Sequence, residues 1–140
     1  MKRAAVIAGA VLLLAACGRG GGSSDAAQVK QVWTTFFSAK TPVSQKVALL
    51  QDGARFKSAI TGLATNPLAG QLSAKVSSVS LQGTKKAKVV FSIYLGNTAV
   101  LNNVTGYAYK LNGKWLVGYA GLCKLIELQP GVTPPAACTA

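Results

Sequence analysis

The chain predicts an α+β domain: three amphipathic helices followed by a curved, four-stranded antiparallel sheet that packs around them. Three observations carry this expectation. Apolar residues recur with helical spacing up to about Thr65, and with a period of two beyond Leu72. Helix breakers separate the early segments, at Thr41-Pro42, Asp52-Gly53 and Asn66-Pro67. Glycine turns separate the later ones, at Gly83-Thr84, Gly96-Asn97 and Asn112-Gly113. Helices and strands in separate blocks are the order of an α+β domain, not of an alternating α/β one.

The first helix follows Ser23-Ser24-Asp25, any of which can cap it. Val29, Val32, Trp33, Phe36 and Phe37 fall at i, i+3, i+4, i+7 and i+8, so one face is apolar as far as about Ala39. Thr41-Pro42 reads as an N-cap with proline at the first helical position. Val43, Val47 and Leu50 mark a short second helix, which Asp52-Gly53 stops. Phe56, Ala59, Ile60 and Leu63 mark a third. It ends before Pro67, because the residue preceding a proline is pushed out of the helical region.

The first strand spans Lys75 to Gln82 and the second Lys86 to Leu95, with Val89, Phe91, Ile93 and Leu95 on one face. The third runs from about Val100 to Leu111, and the fourth from Lys114 to about Leu122. The Asn112-Gly113 turn sets Leu111 opposite Lys114 and Tyr109 opposite Leu116. Tyr107, Tyr109, Leu116, Gly118 and Ala120 then share one face, and Gly106, Ala108, Trp115, Val117 and Tyr119 the other. Small residues facing bulky ones imply curvature. The order and the bent sheet resemble the cone-shaped nuclear-transport-factor-2-like (NTF2-like) fold, and Tyr107 to Tyr119 is typical of its last hairpin.

Ahead of the domain, Met1-Lys2-Arg3 is a positive start, and Ala4 to Leu14 is an apolar run of about 11 residues, too short for a stable span. This is the pattern of a secretory signal. Leu14-Ala15-Ala16-Cys17-Gly18 resembles the lipobox of bacterial lipoproteins, which implies cleavage before Cys17 and lipid on its sulfur. Gly18 to Ser24 has no side chain suited to packing and reads as a tether. The expected organisation is a signal over 1–16, a lipidated cysteine and tether over 17–25, and one domain over 26–140.

With Cys17 lipidated, Cys123 and Cys138 remain, 15 positions apart. In an oxidising compartment they suit a disulfide that pins the tail to the end of the last strand. A metal or redox pair is the competing reading. It lacks the histidine or acid that zinc would need, and there is no Cys-x-x-Cys.

A closer resemblance lies in Val32 to Phe37 (VWTTFF), Thr41 to Gly53 (TPVSQKVALLQDG), Leu111 to Leu128 (LNGKWLVGYAGLCKLIEL) and Pro134 to Cys138 (PPAAC). These look like the low molecular weight antigen MTB12 family, exported proteins and lipoproteins of mycobacteria and related actinobacteria. The resemblance runs from Asp25 onward. It implies the same fold, the terminal disulfide and an envelope location, and it implies no activity. Gly121-Leu122 departs from the Ser-Phe expected there, which changes only local packing.

The charge balance is strongly basic, 15 Lys plus Arg against 3 Asp plus Glu, with no histidine and a net charge of +12. Asp25, Asp52 and Glu127 are the only carboxylates, and their positions suggest a tether, a turn and a tail rather than a pocket. There is no histidine base, no paired carboxylate set and no Ser-His-acid set. The expectation is a protein that is not an enzyme and needs no cofactor or metal. Lys85, Lys86 and Lys88 are candidates for contact with an anionic lipid or glycan, or else a solvated hairpin face. Nucleic acid is not an expected partner outside the cytoplasm. Trp33, Phe36, Phe91, Tyr107 and Tyr109 are candidates to line a cavity for an apolar ligand; the alternative is that they simply fill the core. The expected function is a lipid-anchored, non-enzymatic interaction module at the outer face of the membrane, with an envelope protein or an anionic lipid or glycan as candidate partner. A carrier of a lipid or other hydrophobic molecule is the runner-up.

Overall fold

The computed structural model describes residues 24–129, 131 and 133–139. The expected signal, Cys17 and most of the tether lie outside the described residues. Helix α1 (Asp25–Phe37) starts where Ser24 turns its hydroxyl onto the chain, accepting from the Ala27 N–H at 3.2 Å. Its buried residues are Val29, Val32, Trp33, Phe36 and Phe37, the stripe expected from their spacing. The helix stops at Phe37, two residues early, because Ser38 is extended and the Ala39 N–H bonds to the Leu72 carbonyl. Thr41 does not cap the second helix. Its hydroxyl donates to the Thr35 carbonyl at 2.6 Å, and Pro42 takes the cap position before α2 (Val43–Leu49).

After α2 the chain touches the sheet. Leu50 forms a parallel bridge with Val117, and the Gln51 N–H bonds to the Val117 carbonyl at 2.8 Å. Asp52 is left-handed at φ 53°, and Gly53 opens a 3-10 turn (Gly53–Phe56) leading into α3 (Lys57–Ala64). A side chain at Gly53 would run into the Val47 carbonyl, so the turn tolerates only glycine there.

A second 3-10 turn (Ala69–Gln71) leads into the sheet. It is an antiparallel meander of β1 (Leu72–Leu81), β2 (Lys86–Leu95), β3 (Thr98–Leu111) and β4 (Lys114–Val117), in the order β1-β2-β3-β4. The last hairpin has the expected register, with Tyr109 opposite Leu116 and Ala108 opposite Val117. The sheet curls into a half-barrel. Its register slips at Val76/Ser78 in β1, and twice where β2 meets β3 between Phe91 and Tyr94. Such extra residues bend a strand and raise its twist. At the β3 irregularity Asn103 is left-handed at φ 49°. The buried Ser92 hydroxyl satisfies it, donating to Asn102 Oδ1 at 3.1 Å and accepting the Asn103 N–H at 3.0 Å.

Among the described residues there are four α-helices rather than three, and the fourth corrects the expected last strand. β4 ends at Val117, not near Leu122, and Tyr119–Glu127 is helix α4. Gly118 makes the switch: its N–H bonds to the Tyr107 carbonyl at 2.7 Å, and a Cβ there would strike that same carbonyl. Gly118, Tyr119 and Ala120 therefore leave the sheet faces on which alternation placed them. α4 buries Gly121, Leu122, Cys123, Leu125 and Ile126, which extends the core beyond the sheet.

Candidate functional site

The centre of the half-barrel is filled. Trp33, Phe37 and Phe91 meet ring to ring, with Phe91 centroids 4.9 Å from Trp33 and 5.8 Å from Phe37. Phe36 packs edge-on against Phe37 at 4.8 Å. Two glycines make room for these rings. A Cβ on Gly106 would lie 2.9 Å from the Trp33 ring and 3.0 Å from Phe91, and one on Gly121 would lie 3.1 Å from Phe91. The Trp33 indole N–H is buried without an acceptor among the described residues, so the ring serves here as volume. Of the candidate cavity residues, Trp33 and Phe91 are fully enclosed, and Phe36 reaches the edge of a depression beside Thr41 and Leu72.

Tyr107 and Tyr109 lie elsewhere. They alternate with the inward Gly106 and Ala108, and so point to the outer face of the sheet. There Tyr109 is opposite Lys86, and Tyr107 is opposite Lys88. Lys86 Nζ sits 4.4 Å from the Tyr107 ring centroid and 5.9 Å from that of Tyr109, while Lys75 Nζ lies 5.9 Å from Tyr94. Exposed cation–π contacts of this kind are worth about 0.5–1 kcal/mol and fix where the ammonium stands. Lys88 is exposed on the same face, and Lys85 is exposed in the β1–β2 turn. The four strands contain no aspartate or glutamate. The outer face is therefore a lysine–tyrosine surface with no carboxylate of its own to neutralise it.

The carboxylates are remote from it. Asp25 Oδ1 accepts from Trp115 Nε1 at 3.0 Å and from Lys110 Nζ at 3.2 Å, latching the start of α1 to the last hairpin. The Trp115 hydrogen bond, and next the Lys110 one, hold the Asp25 carboxyl below its ordinary pKa. Asp52 lies exposed at its turn and Glu127 exposed on α4. Among the described residues, no three His, Cys, Asp or Glu side chains gather closely enough to hold a metal ion. No described helix is long and apolar enough to cross a membrane.

At the end of the domain where α1 finishes, two depressions of about 280 and 250 Å³ open side by side. They share Leu63, Ala69, Leu72 and Leu125 as walls. The first adds Leu68 and Leu128, which are 49% and 50% exposed; the second adds Phe36 and Lys46. Burial against these apolar walls lowers the pKa of the Lys46 amine. Periodicity shows no such feature, because the walls come from all four helices, the 3-10 turn, β1, β2 and β3 together.

Cys123 and Cys138 stand at disulfide distance, S–S 2.01 Å with Cα atoms 5.7 Å apart. Cys123 lies in α4 and Cys138 in a final 3-10 turn (Ala136–Cys138), so the tail is held to a helix and not to the end of a strand.

The segments that carry this architecture also carry the family. Residues 23–132 match the family model described as low molecular weight antigen MTB12, C-terminal domain. The chain belongs to this family. The match takes in all four helices and the whole sheet, while the second cysteine of the pair lies beyond it. No curated protein and no solved structure matches the chain.

Proposed function

We propose that this MTB12-family chain is a lipid-anchored, non-enzymatic binding module at the outer face of the cell membrane, docking an anionic partner through the outer face of its sheet. The observation that supports it best is the acid-free surface on which Lys75, Lys86 and Lys88 stand among Tyr94, Tyr107 and Tyr109. A one-signed surface steers oppositely charged partners. The tyrosine hydroxyls and strand serines suit hydroxyl-rich chains, so an acidic envelope glycan fits this face better than bare lipid. The absence of histidine from the sequence, and of a carboxylate from the depressions, supports a role without catalysis. The helices packed inside a curled sheet support an NTF2-like cone.

The test is retention on an immobilised carboxylated polysaccharide across a salt gradient. Replacing Lys75, Lys86 and Lys88 with glutamine should abolish retention. Replacing the exposed Lys30, Lys40 and Lys57, an equal loss of charge away from the face, should leave most of it. Equal loss in both would reduce the effect to net charge and defeat the proposal. The anchor is tested separately by fatty-acid labelling: Cys17→Ala should lose the label, and equal labelling of both proteins sinks that part. A second reading, a carrier of a hydrophobic molecule, draws support from the apolar depressions beside Leu63 and Leu125 and none from the filled centre.

A further inference from the structure

The paired depressions combine an apolar wall with an amine. Their walls are aliphatic and aromatic, with Leu63, Leu72 and Leu125 common to both. One amine, Lys46, stands in the second with no hydrogen bond or ion pair among the described residues. Neither depression has a carboxylate in its lining. A cation partly stripped of water and left unpaired is costly, and an anion beside it removes that cost. An anion brought in by an apolar chain would also cover the leucines at the rim.

We propose that the two depressions form one site for a single-chain fatty carboxylate, with its carboxylate at Lys46 Nζ and its hydrocarbon against Leu63, Leu72 and Leu125. The site rests on the carrier reading and gives that reading a place, at the open end of the domain instead of its centre. The chain passes from Lys46 over the shared wall to Leu68 and Leu128, where burying each methylene contributes about 0.8 kcal/mol. At about 280 and 250 Å³, the joined depressions fall in the lower part of the roughly 300–1,000 Å³ range of small-molecule sites. That suits one hydrocarbon chain and not the two of a diacyl phospholipid. The half-buried, uncharged amides of Asn66 and Gln129 at the far rim neither require nor repel a charge.

The test uses the full chain, and in parallel the full chain carrying Cys17→Ser so that no anchor of its own can compete. The probe is cis-parinaric acid, a fluorescent fatty acid, displaced by myristate or by tetradecanol, which has the same chain without the carboxylate. Myristate should displace the probe at concentrations about tenfold lower than tetradecanol, and Lys46→Gln should remove that advantage while leaving tetradecanol unchanged. Ala69→Trp, which adds bulk to the shared wall, should abolish binding of the probe that the parent chain shows. Leu128→Asp, which sets a charge against the far end of the hydrocarbon, should weaken myristate and tetradecanol alike and stands in if Ala69→Trp misfolds. Equal displacement by the acid and the alcohol, with Lys46→Gln silent, overturns the carboxylate assignment and leaves the carrier reading standing. Failure of the probe to bind overturns both. Displacement by a two-chain phosphatidylglycerol as readily as by myristate overturns the single-chain assignment.

Discussion

The two ends of the domain interior are built from equally apolar residues and end up differently. At the closed end, Trp33 and Phe91 lie against Gly106 and Gly121, and the glycines leave no more space than the rings occupy. At the open end, Leu63, Leu72 and Leu125 come from three elements and line two depressions that the rings of Phe36 and Phe37 border without filling. The difference shows that hydrophobicity alone does not decide whether a core is filled. Pairing large with small across facing elements does, because interiors pack like crystals wherever shapes permit. The same hydrophobic layer is therefore filled at one end and leaves two open depressions at the other.

The largest expected contrast comes from truncating one side chain at each end. Phe91→Ala should destabilise the domain by about 3–5 kcal/mol, since the rings of Trp33 and Phe37 beside it cannot close over the loss. Leu128→Ser, half-exposed at the open rim, should change stability by no more than about 0.5 kcal/mol. Urea unfolding midpoints compare the two directly. Equal losses would mean that the open end is as tightly packed as the closed one.

Next comes the clamp on α4, the helix whose Gly121 lies against the closed end and whose Leu125 lines the open one. Joining Cys123 to Cys138 closes a 15-residue separation, worth about 3 kcal/mol in the chain-entropy account. Cys123→Ser with Cys138→Ser should lower the unfolding midpoint accordingly. Amide exchange in that variant should rise more around Leu125 and Leu128 than around Trp33. A uniform rise would show that the clamp serves the whole domain and not its open end.

Much of the closed end is legible in the sequence, and little of the open end. The spacing of Val29, Val32, Trp33, Phe36 and Phe37 specifies both a helix and its buried face. The Asn112-Gly113 turn specifies the register that brings Ala108 opposite Val117. Alternation also separates Tyr107 and Tyr109 from Gly106 and Ala108. Which set faces inward is decided only by helix α1, whose Trp33 needs the space a glycine leaves. Helix α4 has its own signal: Tyr119, Leu122, Cys123 and Ile126 stand at i, i+3, i+4 and i+7. Alternation carried on from β4 conceals it, because only Gly118 marks the change of period. The bulge at Asn102–Asn103 and the depressions have no local signal at all, since each depends on residues distant in the chain meeting in space.

A smaller effect separates the ends through glycine. Gly106→Ala puts a methyl group against Trp33 and Phe91 and should cost about 1–3 kcal/mol. Gly62, inside α3 beside the open end, has nothing within 4 Å of its would-be Cβ. Gly62→Ala should stabilise by about 1 kcal/mol through helix propensity. Opposite signs in thermal unfolding support the division into a full and an unfilled end. A loss at both positions would count against it.

The smallest effect belongs to the latch beyond the closed end, where Asp25 holds Trp115 and Lys110. Its carboxyl is held below the ordinary value of 3.8, first by the Trp115 hydrogen bond and then by that of Lys110. On acidification the unfolded chain takes up this proton before the folded one does. The latch therefore contributes fully above the unfolded value, and its contribution is lost as pH falls through the lowered folded value. Asp25→Asn keeps an acceptor for the Trp115 indole but removes the charge that Lys110 meets. The variant should be slightly less stable than the parent at pH 7, and the difference should begin to shrink only below about pH 4, vanishing once the folded carboxyl is protonated as well. Lys46→Gln, at the open end, should leave the acid limb unchanged, because an amine stays protonated throughout that range. If Asp25→Asn tracks the parent at every pH, the start of α1 is held by the Ser24 cap and its packed apolar stripe, and the closed end needs no latch.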